Sequence, residues 1–83
     1  IEQYVANNLD WLKQKAKAEE ESALAAEVRA ERNRLLDKAD IAVNIAVDNG
    51  DSEAESRART WRQALRDIPE QSGFPYDVVW PKL

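Results

Sequence analysis

The chain has 83 residues, a formal net charge of −4, and neither cysteine nor histidine. Without these two residue types, a disulfide scaffold, a zinc site and a histidine-dependent catalytic centre are excluded. Acids and bases are divided evenly between the two halves, so the chain lacks the basic segment that binds a nucleic-acid backbone. No apolar run approaches the roughly 20 residues that cross a bilayer. We therefore expect no enzyme, no cofactor or metal, and no nucleic-acid or membrane partner.

The core of such a short chain is expected to be marginal. Folded chains of this size bury only about 60% of the surface that they expose when unfolded. Much of the 43% apolar content is alanine, which contributes little buried area. We therefore expect another helix, from a second copy or a partner, to add stability. The first residue is isoleucine rather than methionine, which suggests a trimmed start, and no signal-peptide pattern follows it.

Residues 1–38 are predicted to form one long N-terminal helix. Helix formers dominate this segment, and it has neither glycine nor proline. Its apolar stripe fades across the charged run KQKAKAEEE, which we interpret as a solvated face. A coiled-coil register can be drawn along the stripe, but it places Glu19 on the seam. The candidate helix interface, for self-association or a partner, consists of Val5, Leu9, Trp11, Leu12, Leu24, Val28 and Leu35.

The middle segment is predicted to be a short helix after a break near Asp40. Asp40 is a good N-cap, and the pair Asn49-Gly50 is a good helix terminator or tight turn. Within 41–47, β-branched residues alternate with smaller ones, which is also a strand pattern, so helix and strand both remain open. A calcium loop around the sequence DNGD is disfavoured, since Ile45 stands where such a loop needs its first carboxylate.

The next helix has the clearest local signals. Ser52 and Glu55 have the spacing of a capping box, which predicts the start of the helix. Pro69 disfavours helical geometry at Ile68, which predicts its end. Acid-before-base pairs at i,i+4 are expected to stabilise it slightly. These pairs are Glu53 with Arg57 and Glu55 with Arg59.

Beyond Pro69, the C-terminal tail (residues 70–83) is predicted to be extended. Gly73 permits a sharp turn, and Pro75 and Pro81 restrict the residues before them to extended geometry. The aromatic side chains are expected to pack on the apolar stripe of the preceding helix rather than to form a stacking platform, because no basic groove accompanies them. They are predicted to act as a clamp that completes the fold, or as a contact for a partner. The residues of this predicted clamp are Trp61, Leu65, Ile68, Phe74, Tyr76 and Trp80.

A cluster of arginines on the same helix has two interpretations. Four arginines within ten residues are able to grip a phosphate or a carboxylate group. They are interleaved with acids on a capped helix, so ordinary surface ion pairing is the favoured interpretation. The cluster consists of Arg57, Arg59, Arg62 and Arg66. Together the elements predict an all-α fold: a long helix, a short middle helix, a capped helix and a tail packed on it.

Two stretches, RAERNRLLDKADIAV and WRQALRDIPEQSGFPYDVVWPKL, resemble the tail assembly chaperones and tail-fibre-assembly-like proteins of tailed bacteriophages. The resemblance covers about residues 29–83. Trp61 stands where that family often has tyrosine, and Ile41 replaces a tryptophan that usually follows the aspartate. The matching elements here are Arg32-Asn33 with Leu35-Leu36, Asp40, Arg62 through Pro69, Gln71 with Gly73 to Pro75, and Val78 or Val79 with Trp80-Pro81.

This resemblance implies a non-enzymatic helper that binds a tail or tail-fibre polypeptide during phage assembly. It also implies a location in the host cell cytoplasm while tails are built. The alternative is a structural component, such as an adaptor or fibre-base segment, that stays in the tail of the mature virion. Residues 1–28 lie outside the resemblance and are predicted to be a partner-specific or oligomerising helix.

Overall fold

The computed structural model describes the backbone from Glu2 to Leu83 and the side chains from Leu12 onward. It contains two α-helices, α1 (Glu2–Asp48) and α2 (Ser52–Arg66), followed by a 3-10 helix over Ile68–Glu70. Residues 2–83 include no strand, so the all-α prediction is confirmed. The predicted interface residues Val5, Leu9 and Trp11 lie outside the described side chains.

The first helix is longer than its sequence signals indicated. α1 runs without interruption through Asp40 for 47 residues, so the predicted break and the separate short middle helix are wrong. Asp40 caps nothing; it lies on the exposed surface of α1, where its carboxylate pairs with Arg62 at 3.3 Å. The strand alternative for 41–47 is also excluded, because Ala39, Val43 and Ala46 are buried at helical spacing.

Asn49 and Gly50 end α1 in a tight turn, as predicted. Gly50 has a φ of 66°, in the left-handed region that favours glycine. The amide of Asp51 donates to the carbonyl oxygen of Ala46 at 2.9 Å, which satisfies one of the carbonyl groups left open at the helix end. The chain reverses here, and α2 returns along α1.

The cap of α2 lies one residue earlier than predicted. Asp51 is the N-cap, and its carboxylate accepts a hydrogen bond from the amide of Ala54 at 3.0 Å. Ser52 is therefore the first helical residue rather than a cap, and the predicted capping box with Glu55 is wrong. Both aspartate and serine are strong N-caps, so the local sequence alone does not choose between the two.

α2 ends at Arg66, two residues before the predicted end. The amide of the C-cap residue Asp67 donates to the carbonyl oxygen of Gln63 at 3.1 Å. Pro69 then lies near the start of the 3-10 helix, where its missing N–H leaves no donor unpaired.

The core lies where α2 and the tail cover the second half of α1. Ala39, Leu65 and Ile68 are fully buried. Small alanines at the helix contact let the two backbones approach, while Leu65 and Ile68 are the largest fully buried side chains. Burying each of these two side chains contributes about 1.5–3 kcal/mol relative to exposing it. The partly buried residues around this centre are Val28, Leu35, Leu36, Trp61, Phe74, Val78 and Trp80.

A long stretch of α1 lies outside the packed core and is exposed to solvent. Forty-seven helical residues extend for about 70 Å and the 15 residues of α2 for about 22 Å. The molecule is accordingly elongated, measuring 73 × 18 × 12 Å. Residues 12–23, which we call the arm, are exposed throughout. Within the described chain, neither helix has the length and hydropathy together that would let it cross a membrane.

Candidate protein-binding site

The tail folds back across α1 before it returns to α2. The guanidinium of Arg29 lies 5.4 Å from the centre of the Phe74 ring, a cation–π distance. Tyr76 lies farther along, beside the acidic residues of the arm. Partial desolvation, with smaller contributions from Glu21 and Glu20, raises the pKa of the Tyr76 phenol. The tail thus contacts α1 at Arg29 and extends from there toward the acidic residues of the arm.

One side chain closes the turn of the tail. The Gln71 amide group donates from Nε2 to the carbonyl oxygen of Val79 at 2.8 Å. Its Oε1 accepts from the amide of the same residue at 2.9 Å. This pair of bonds imitates a strand pairing and joins the two ends of a nine-residue loop. The loop presents Tyr76 and Val79 to solvent, at 56% and 72% exposure.

Inside this loop the backbone approaches itself closely at Gly73. The amide of Asp77 donates to the carbonyl oxygen of Gly73 at 2.7 Å. A Cβ at position 73 would lie 2.1 Å from the Asp77 carbonyl oxygen, so only glycine fits without movement. The Phe74–Pro75 peptide bond is cis. Residues 72–76 therefore form turns, and the predicted extended geometry does not hold in that part of the tail.

The end of the tail is tied to α2 by a tryptophan. The indole N–H of Trp61 donates to the carbonyl oxygen of Pro81 at 2.9 Å. Trp80, next to it, is partly buried against the core. Five of the six predicted clamp residues lie in one apolar cluster, and Tyr76 is the exposed exception. The five are Trp61, Leu65, Ile68, Phe74 and Trp80.

Beside this contact lies an open groove between α2 and the end of the tail. Its volume is about 460 Å³. The lining is mainly apolar, with two hydroxyl groups and two cationic side chains among it. The residues that line this groove are Ser56, Arg57, Thr60, Trp61, Ala64, Pro81, Lys82 and Leu83.

The packed half of the molecule is the part of the chain that matches a known protein family. A family model described as phage tail assembly chaperone protein matches residues 25–83. The chain belongs to this family. The match covers the second half of α1, all of α2 and the tail, so the helix contact, the Gln71 loop and the groove all lie within it. It begins four residues before the segment in which the sequence resemblance was found, and it excludes the arm. Neither the curated proteins nor the solved structures contain a match to this chain.

Within this chaperone fold, the described residues of the predicted helix interface have different surroundings. Val28 and Leu35 pack against the chain's own core, beneath the tail. Leu24 is half-buried, and Leu12 is 46% exposed on the arm. The C-terminal part of this apolar stripe therefore packs against the chain's own core, whereas Leu12 is open to solvent.

The arginine cluster is divided by the fold. Arg59 pairs with Glu55 at 3.3 Å, as predicted, and Arg62 pairs with Asp40 of α1 at 3.3 Å. Arg57 does not pair with Glu53; it lines the groove instead. Surface ion pairing thus describes two members of the cluster, and the four side chains do not form a single anion site.

Sequence reasoning missed the groove and the role of Lys82 in it. The helical spacing of Arg57, Trp61 and Ala64 is the signal that could have placed these three residues on one face of α2. Nothing local indicated that residues 81–83 would lie beside that face. Among the described residues there is no cluster of acids suited to a metal ion, and no buried side-chain nitrogen or oxygen atom lacks a hydrogen-bond partner.

Proposed function

We infer that this chain is a non-enzymatic binding module that holds a tail or tail-fibre polypeptide during assembly of the phage tail. The observation that supports this most directly is the open groove beside Trp61, because it lies within the segment that defines the family. Apolar grooves with a few polar groups are the usual sites at which proteins take up a segment of another chain. Binding takes place in the cytoplasm of the host cell, where tails are built.

A second candidate function is a structural one, in which the chain stays in the tail of the mature virion. The arm favours it, since an exposed helix of this length is suited to bundling with a second copy or with another tail protein. In this role the arm supplies the permanent contact.

Co-expression tests the first candidate. The neighbouring tail or tail-fibre gene is expressed with and without this chain, and the yield of soluble, correctly assembled tail protein is measured. We expect the yield to rise with the chain present and to fall with the variant Trp61→Ala. A yield that is the same with and without the chain would remove the chaperone proposal.

Mass spectrometry of purified virions separates the two candidates. A transient chaperone is absent from the particle, whereas a structural component is present in a fixed ratio to the tail proteins. Stoichiometric presence would replace the first candidate with the second.

A further inference from the structure

The groove combines apolar, hydroxyl and cationic side chains, and this combination indicates which kind of partner segment it binds. Accepting the proposed function as its basis, we propose that the groove takes an extended segment of the tail polypeptide in which a large apolar side chain is flanked by carboxylates. The apolar side chain lies against Trp61, and the carboxylates face Arg57 and Lys82.

The apolar part of the groove is held in place before any partner binds. The Trp61 ring is fixed at one end by its hydrogen bond to Pro81 and along its side by the core. Ala64, Pro81 and Leu83 complete the apolar lining. A tryptophan that is already ordered loses little conformational entropy on binding, which is why such residues anchor many interfaces. A large apolar side chain of a partner is the complementary group.

The two cationic side chains of the groove have no carboxylate partner within the described chain. Arg57 and Lys82 are both exposed, and neither takes part in an ion pair of the described chain. Arg34, Arg59 and Arg62 have carboxylate partners, whereas Arg29, Arg32 and Arg66 have none among the ion pairs of the described residues. It is therefore the joint position of Arg57 and Lys82 at one groove that matters. In a chain of net charge −4, two unpaired cations at one groove form a local positive site. Carboxylates on the partner complement it and discriminate against basic segments.

The size and the polar groups favour a peptide rather than a folded surface. A volume of about 460 Å³ lies within the roughly 300–1,000 Å³ typical of ligand pockets, which hold a side chain with its neighbouring backbone. Ser56 and Thr60 are one helical turn apart on α2 and line the same groove, so their hydroxyls can bond to peptide groups.

Three synthetic hexapeptides test this chemistry on the full chain. The first, EDLFDE, has the proposed pattern; KKLFKK keeps the apolar centre and reverses the charge; EDSSDE keeps the charge and lacks the apolar centre. Binding is followed by ¹⁵N NMR through the Trp61 indole N–H and the backbone amides of the groove. We expect saturable shifts there with EDLFDE, and affinities at least about tenfold weaker for the other two peptides.

Paired charge reversals locate the effect. The variant Arg57→Glu with Lys82→Glu should weaken EDLFDE binding at least about tenfold and improve KKLFKK binding. The matched control, Lys17→Glu with Lys38→Glu, has the same change in net charge at exposed positions outside the groove and should leave both affinities unchanged. Circular dichroism melting shows whether each variant stays folded. Equal binding of EDLFDE and EDSSDE, or equal losses in the two double variants, would overturn the proposal.

A second copy of the chain is the competing occupant, because the arm has its own acidic run at residues 19–21. Light scattering after size exclusion measures this. A dimer that is lost in the Arg57→Glu, Lys82→Glu variant but not in its control would assign the groove to self-association and overturn the proposal. Failure of the proposed function gives a different result. The chain still discriminates among the peptides, but it does not bind the tail polypeptide, and co-expression does not raise the yield of soluble tail protein. If instead the tail polypeptide binds the wild type and the double variant equally, only the groove chemistry is wrong.

Discussion

At the scale of single residues, a few side chains determine the stability of this small fold. Leu65 and Ile68 are the largest fully buried side chains of the described chain, and residues of α1, α2 and the tail pack around them. Ala39 is equally buried, and its small size allows the helices to meet there. Substitutions at this centre should therefore have effects that are large for so short a chain.

Leu65→Ala should lower the free energy of unfolding by about 3 kcal/mol, because it leaves a cavity where α1, α2 and the 3-10 helix meet. Urea denaturation followed by circular dichroism measures this change. Leu12→Ala, at a position that is 46% exposed, is the matched control and should change the stability by less than about 0.5 kcal/mol. Similar losses in both variants would show that Leu65 does not lie at the centre of the core.

Gly50 is required for its backbone conformation and Gly73 for the close approach of the backbone at Asp77, and alanine substitutions distinguish these two requirements. At Gly50 the positive φ is the only obstacle, since nothing lies within 4 Å of an added Cβ, and the cost should be about 1 kcal/mol. Gly50→Asn should recover part of it, because asparagine tolerates this conformation. At Gly73 the added Cβ meets the Asp77 carbonyl oxygen, so the loop itself must move. We expect Gly73→Ala to shift the NMR signals of residues 71–79, and Gly50→Ala to leave them in place.

At the scale of elements, the nine-residue loop of the tail depends on Gln71. Gln71→Ala removes two hydrogen bonds to one backbone unit, and it should cost about 1–2 kcal/mol and speed amide exchange at Val79. Gln63→Ala removes one exposed hydrogen bond to Asp67 and serves as the control, with an expected loss well below 1 kcal/mol. Unchanged exchange at Val79 would show that the loop is held by the packing of Phe74 alone.

The elements also show which sequence signals were sufficient. The turn at Asn49-Gly50 was predictable because glycine enters the left-handed region at the lowest cost of all residues. The break near Asp40 was not, since a good N-cap residue starts a helix only where the preceding residues leave it. Here Ala39, Val43 and Ala46 are buried together on one face of α1, and that tertiary contact overrides the local preference. At the start of α2, Asp51 and Ser52 are both good N-cap residues, and for this reason the predicted start differs from the observed one by one position.

At the scale of the whole molecule, the sequence motifs indicated the family but not the site. The elements from Arg32 to Pro81 resemble the tail assembly chaperones, and the family match over residues 25–83 confirms this. The groove depends on the path of the tail, which crosses α1 near Arg29 and returns to Trp61. That path is set by contacts between residues 20 to 45 positions apart, and no local pattern encodes them. The arm adds a second exposed surface outside the family segment.

The central claim is that the packed unit, and not only the arm, binds a tail polypeptide. Hydrogen–deuterium exchange of the chain, alone and in complex with the tail polypeptide co-expressed with it, tests this most directly. We predict slower exchange in the complex at residues 56–64 of α2 and at residues 78–83 of the tail, which together border the groove. Exchange that is unchanged along those segments, or slowed only within residues 12–23, would contradict the account.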